Sequence, residues 1–135
     1  MAKKKENEVS EFDFRKITSF EKACESEGID ANQLPGVDNL PEEFREPLKS
    51  VYRLMVAHKA VNKGFTVDYA KVDQRKYCSW AWLQSSGSGF VFSNSSTLYD
   101  YTNTTVGSRL LSETDEKESH IFEHFPNDYM TWFTK

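Results

Sequence analysis

The sequence predicts an α+β fold: a small antiparallel sheet of about three to four strands packed against two or three helices, in the order α-α-β-β-β-α. Three observations carry this. Residues 77–108 hold seven of the nineteen aromatics and a single charge, Asp100. The segments on either side are rich in charge, with apolar residues recurring at spacings of three and four. Helix-capping patterns stand at the start of the first and last of those segments.

At 135 residues the chain is long enough for one modest core. Residues 1–14 read as a flexible, mixed-charge tail and residues 15–135 as a single α+β domain. The first helix opens at Thr18-Ser-Phe-Glu21, a capping box with Thr18 as N-cap, and stops at Gly28. A loop with a Pro35-Gly36 turn follows. In the second helix Phe44, Leu48, Val51, Tyr52 and Met55 form the apolar stripe, with Pro41 in the first turn. Pro47 is expected to kink this helix or to mark its real start, and Gly64 to end it. His58 reads as a partly exposed helix residue with no partner at i±4.

Tyr77–Gln84 alternates as a strand, with Cys78, Trp80 and Trp82 on one side and Ser79 and Ala81 on the other. The glycine-rich turn at 85–89 and Phe90-Val-Phe92 complete a hairpin. Asn94–Thr97 reads as a loop, and 99–111 as one or two further strands. Ser112-Glu-Thr-Asp115 signals the last helix, with Ile121, Phe122, Phe125, Tyr129 and Phe133 on its apolar stripe. Pro126 kinks or restarts it.

Composition narrows the function classes. A net charge of −4 disfavours a general nucleic-acid binder, whose affinity comes from neutralising phosphates. No apolar run approaches the length of a membrane span, and no apolar segment follows the basic start, so a cytoplasmic location is expected. Cys24 and Cys78 are too few for a disulfide framework and read as free, partly buried thiols.

Several constellations offer chemistry. Six bases against two acids lie between Val51 and Lys76 (Arg53, Lys59, Lys63, Lys71, Arg75 and Lys76), the one basic island. Tyr77, Trp80 and Trp82 beside Arg75, Lys76 and Arg109 could stack bases, although a stacking platform wants cations among its rings. His120-Ile-Phe-Glu123-His124 matches the H-x-x-E-H zinc pattern, which places two imidazoles one helical turn apart with Glu123 as base. A third ligand is needed, and Glu116 is one turn away. The five letters arise readily on an acidic helix, so no metal, cofactor or catalytic residue is expected, and His120 and His124 stand only as metal candidates. Glu113, Asp115 and Glu116 head an acidic segment suited to a basic partner surface.

Lys59-Ala-Val-Asn-Lys-Gly64, Gln74-Arg-Lys-Tyr-Cys-Ser-Trp-Ala-Trp82, Ser88-Gly-Phe90 and Thr105-Val-Gly-Ser-Arg-Leu110 together resemble an uncharacterised family of small proteins encoded by phages, prophages and mobile elements of gut bacteria. The likeness covers most of residues 17–125, and Val106–Leu110 is its most specific piece. The family's aromatic–aromatic–Pro–aromatic run reads Tyr77-Cys-Ser-Trp80 here. The resemblance implies a phage-borne accessory protein acting in a bacterial cytoplasm rather than an activity. The expected function is therefore a non-enzymatic binder of a host or phage protein, such as an inhibitor of a nucleic-acid-handling defence system. An aromatic-sheet nucleic-acid binder and a virion or assembly component are the alternatives, and a zinc hydrolase is the outlying one.

Overall fold

A computed structural model describes residues 12–71, 73–86, 89–100 and 108–134, with the backbone alone over 80–100 and at Ser108. Most of the tail expected over residues 1–14 lies outside the described residues. At the boundary, Phe14–Lys16 is a 3-10 turn whose N-cap, Asp13, accepts from the Arg15 N–H at 3.0 Å.

The first helix, α1 (Phe20–Glu27), starts one residue later than its capping signal suggests. Ser19, not Thr18, takes the extended N-cap conformation and accepts from the Lys22 N–H at 3.2 Å. Glu21 then falls in the first turn, where its charge suits the helix dipole. The C-terminus closes as a Schellman motif: Ile29 N–H donates to Cys24 O and Gly28 N–H to Glu25 O. Gly28 has φ 67°, the left-handed region that glycine enters without strain.

The second helix, α2 (Glu42–Val61), is continuous through Pro47. The expected kink or late start does not occur. Proline removes one helical hydrogen bond, but no residue before Ser50 in α2 is buried, so solvent is at hand for the carbonyl left over. Arg45 ties the preceding loop to the helix, donating to Leu40 O at 2.8 Å and Asp38 O at 3.1 Å.

The three- to four-stranded sheet is overturned. The architecture is mainly helical, and among the described residues only two strands appear, β1 (Lys76–Ser86) and β2 (Gly89–Asp100). They pair antiparallel from Lys76↔Asp100 to Ser86↔Gly89, with an irregularity at Trp82/Leu83. Asn94–Thr97, expected as a loop, lies within β2 opposite Trp82–Ser79, where its polar residues complete the ladder. The further strands expected over 99–111 fall partly outside the described residues. Ser108–Leu110 is a 3-10 turn, and Ser112 makes one isolated bridge with Tyr77. A two-stranded ribbon offers too little surface to carry a core by itself.

The closing helix is two helices. Thr114, not Ser112, caps α3 (Asp115–His124), accepting from the Lys117 N–H at 3.2 Å. The chain restarts at α4 (Pro126–Thr134), because proline disfavours helical backbone at Phe125. The order is thus α-α-β-β-α-α.

The core joins Ala23 and Cys24 of α1, Leu54, Ala57, Ala60 and Val61 of α2, Leu110, and Ile121, Phe125 and Tyr129 of the last two helices. Each large side chain so buried contributes about 1.5–3 kcal/mol. Small residues on α2 let the neighbouring helices approach closely, and α2 packs against α1, α3 and α4. The ribbon lies against α3. No helix among the described residues is long and apolar enough to cross a membrane.

Candidate functional site

Among the described residues, those singled out in the sequence differ in exposure. Arg75 is exposed, whereas Lys76 is buried, its Nζ donating to Gln74 O at 2.9 Å and lying 5.2 Å from the Tyr69 ring centre. Tyr77 is half-buried. Trp80 and Trp82 belong to β1 by backbone, and their side chains lie outside the described residues. The basic island is tied down only in part. Arg53 pairs with Asp128 at 3.4 Å, Lys59 approaches Glu27 at 4.0 Å, and Lys63 donates to Ser26 O and Oγ. Arg109 is exposed on the 3-10 turn. Glu113, Asp115 and Glu116 are exposed as expected of an acidic helix start, with Glu113 paired to Lys117 and Glu116 to Arg15.

The helix does bring His120 and His124 together, their ring centres 4.2 Å apart. Each ring is anchored on a backbone carbonyl, however. His120 Nε2–H donates to Ile17 O at 2.7 Å and His124 Nδ1–H to His120 O at 2.9 Å. Burial holds His120 below its ordinary value, with the neighbouring His124 and Arg15 charges adding to the effect. Among the described residues, no group of three metal-ligating side chains comes together.

Two features were not anticipated. The first is the amino-terminal half of α2, which reaches past the core. Phe44 is 52% exposed and Leu48 38% exposed, one helical turn apart. Glu42, Glu43 and Glu46 around them are exposed too. Periodicity placed Phe44 and Leu48 on an apolar face correctly, but it could not say that this face outruns the domain that should cover it. What fixes this half in space is the burial that begins at Ser50 and the Arg45 bonds to the loop.

The second is a buried polar network. His58, read as partly exposed, is 3% exposed, and Glu118 is fully buried. His58 donates from Nδ1 to Leu54 O at 2.7 Å and from Nε2 to Glu118 Oε1 at 2.8 Å. The Leu54 carbonyl only accepts, which puts a proton on Nδ1, and the further donors to Glu118 favour its ionised form, which puts one on Nε2 and makes the pair ionic. Ser112 also donates to Oε1, at 2.8 Å, while Ser79 and Tyr129 donate to Oε2 at 2.5 and 2.6 Å. Asn62 extends the network, donating to Ser112 Oγ at 3.0 Å and accepting from the Glu113 N–H at 2.8 Å.

Burial alone would push His58 down, but the Glu118 charge and its hydrogen bond outweigh it and raise the imidazole. Burial likewise works to raise Glu118, and His58 with the hydroxyl donors holds it below the ordinary value. Burial and the adjacent carboxylate push the Tyr129 phenol well up. With both imidazole nitrogens engaged and the carboxylate accepting four hydrogen bonds, the arrangement joins α2, β1, α3 and α4.

No protein-family model, curated protein or solved structure matches this chain.

Proposed function

We propose that this chain is a non-enzymatic binding protein that lays the first half of α2 into an apolar groove on a partner protein with a basic rim. The observation that carries this is the exposed Phe44–Leu48 pair fringed by Glu42, Glu43 and Glu46. Helix-in-groove recognition uses apolar anchors at this spacing, and the acids would select a cationic rim and steer encounter. The setting that best suits such a surface is a phage- or prophage-encoded factor in a bacterial cytoplasm, acting on a host nucleic-acid-handling protein whose basic face it occupies. The burial of Lys76 and the Arg53–Asp128 ion pair weigh toward a protein partner over nucleic acid.

The test is capture from host lysate with wild-type protein, with Phe44→Ala/Leu48→Ala, and with Glu42→Lys/Glu43→Lys/Glu46→Lys. A stoichiometric partner held by wild type at moderate salt and lost by both variants is expected. A partner retained by both variants, or none at all, would overturn the proposal. Because these side chains are exposed, both variants should keep the wild-type fold, which circular dichroism checks.

A further inference from the structure

A cleft of about 460 Å³ opens between the end of α1, the second half of α2 and residues 64–67. Its size falls within the range of small-molecule sites, roughly 300–1,000 Å³. Tyr52, Val56, Phe65 and Leu111 give it apolar and aromatic walls. Lys59, Lys63 and Arg109 line it as well, against one acid, Glu27. His58 contributes to the wall, but its charge is already balanced by Glu118.

Glu27 supplies the more pointed observation. Its Oε2 is the atom near Lys59, while Oε1 is buried and, among the described residues, has no hydrogen-bond partner. A buried carboxylate oxygen without a donor carries a desolvation cost and calls for a partner. A ligand complementary to this cleft has three properties. It has a flat apolar body for Tyr52 and Phe65. It has a negative group for Lys63 and Arg109, the cations left over once Glu27 is set against Lys59. It has an N–H or O–H donor for Glu27.

We propose that this cleft binds a small aromatic anion bearing a hydrogen-bond donor. A purine nucleoside monophosphate and an aromatic carboxylate with a ring N–H both meet that description. The first presents a phosphate to the cations, the second a carboxylate. The cleft is separate from Phe44 and Leu48, so this site stands or falls independently of the protein-binding reading.

Amide chemical shifts of the full chain titrated with GMP, and separately with indole-3-acetate, test it. Guanosine and inorganic phosphate, each lacking one half of the chemistry, serve as controls. Saturable shifts at Gly64, Phe65, Thr66 and Arg109 from at least one of the two anions, stronger than from either control, are expected. Arg109→Ala and Glu27→Ala should each weaken that binding by about tenfold, one charge-assisted contact's worth, while spectra away from the cleft stay unchanged. Preference for GMP assigns a phosphate ligand, and preference for indole-3-acetate a carboxylate. Absence of saturable shifts with both anions at millimolar concentration, shifts centred elsewhere, or binding indifferent to both substitutions would each overturn the proposal.

Discussion

Glu118 and His58, sixty residues apart in the chain, meet at 2.8 Å with both side chains buried. Their ion pair ties α3 to α2, and the hydroxyls of Ser79 and Tyr129 bring β1 and α4 to the same carboxylate. Four elements therefore depend on a single side chain for their register.

Removing one partner strands the other's charge out of water. His58→Ala and Glu118→Ala should each cost about 3–5 kcal/mol in denaturant unfolding. Replacing both by leucine removes both charges together, so His58→Leu/Glu118→Leu should cost much less than the two single losses added. Tyr129→Phe leaves Glu118 three donors and should cost about 1.5–3 kcal/mol, the range for a hydrogen bond to a charged group. Additive losses in the double variant would mean that the two residues act independently.

The same pair gives stability a pH signature. His58 is raised in the fold above its ordinary 6.5, so its contribution is full below that value and is lost as pH climbs through the folded value. Glu118 is lowered below its ordinary 4.5, so its contribution is full above that value and is lost as pH falls through the folded one. The difference in melting temperature between wild type and His58→Leu/Glu118→Leu should therefore be greatest between pH 4.5 and 6.5 and shrink on both sides. Taking the difference cancels His120 and Asp128, whose shifts run in the opposite directions and persist in both proteins. A difference that does not change with pH would show that the pair is not ionic.

The helices were legible in the sequence because their signals are local. Gly28 announces its left-handed turn, and the stripe from Val51 to Val61 follows the helical period. The caps were missed by one or two residues because Thr18, Ser19, Ser112 and Thr114 are all competent, and only the extended backbone at Ser19 and Thr114 selects between them. The sheet was overcounted in part because the polar run Asn94–Thr97 was read as a loop between two strands, whereas pairing opposite Trp82–Ser79 keeps β2 continuous to Asp100. Alternation put Ser79 on the side opposite Cys78, yet both are buried, Ser79 through its hydrogen bond to Glu118. The network itself had no sequence signal. His58 and Glu118 sit on separate helices, and a partner search at i±4 cannot reach across sixty residues.

Gly28→Ala isolates a backbone effect. A Cβ added there meets nothing within 4 Å, so no clash contributes. What remains is the cost of holding a non-glycine residue at φ 67°, about 1–2 kcal/mol. Equilibrium denaturation should show that loss with an unchanged slope. A loss near zero would mean that the α1 end relaxes out of the Schellman turn.

Pro47 sits in the exposed half of α2 that carries Phe44 and Leu48. Inside a helix, proline forgoes the bond its N–H would make to the carbonyl four residues back and crowds that carbonyl. Pro47→Ala restores the bond and should stabilise the protein, by an amount below the roughly 3 kcal/mol seen at helix interiors, since solvent already serves the free carbonyl here. Amide exchange gives the decisive reading. Protection should rise at residues 46–49 and stay unchanged from Leu54 to Val61, where the core already holds the helix. The consequence for binding follows from the same physics. If the exposed half frays in the wild type, ordering it in advance removes a cost from association, and Pro47→Ala should bind the partner more tightly through slower dissociation. A variant that gains stability while binding more weakly would show instead that the partner selects the helix shape proline imposes, and that Phe44 and Leu48 reach their groove only from it.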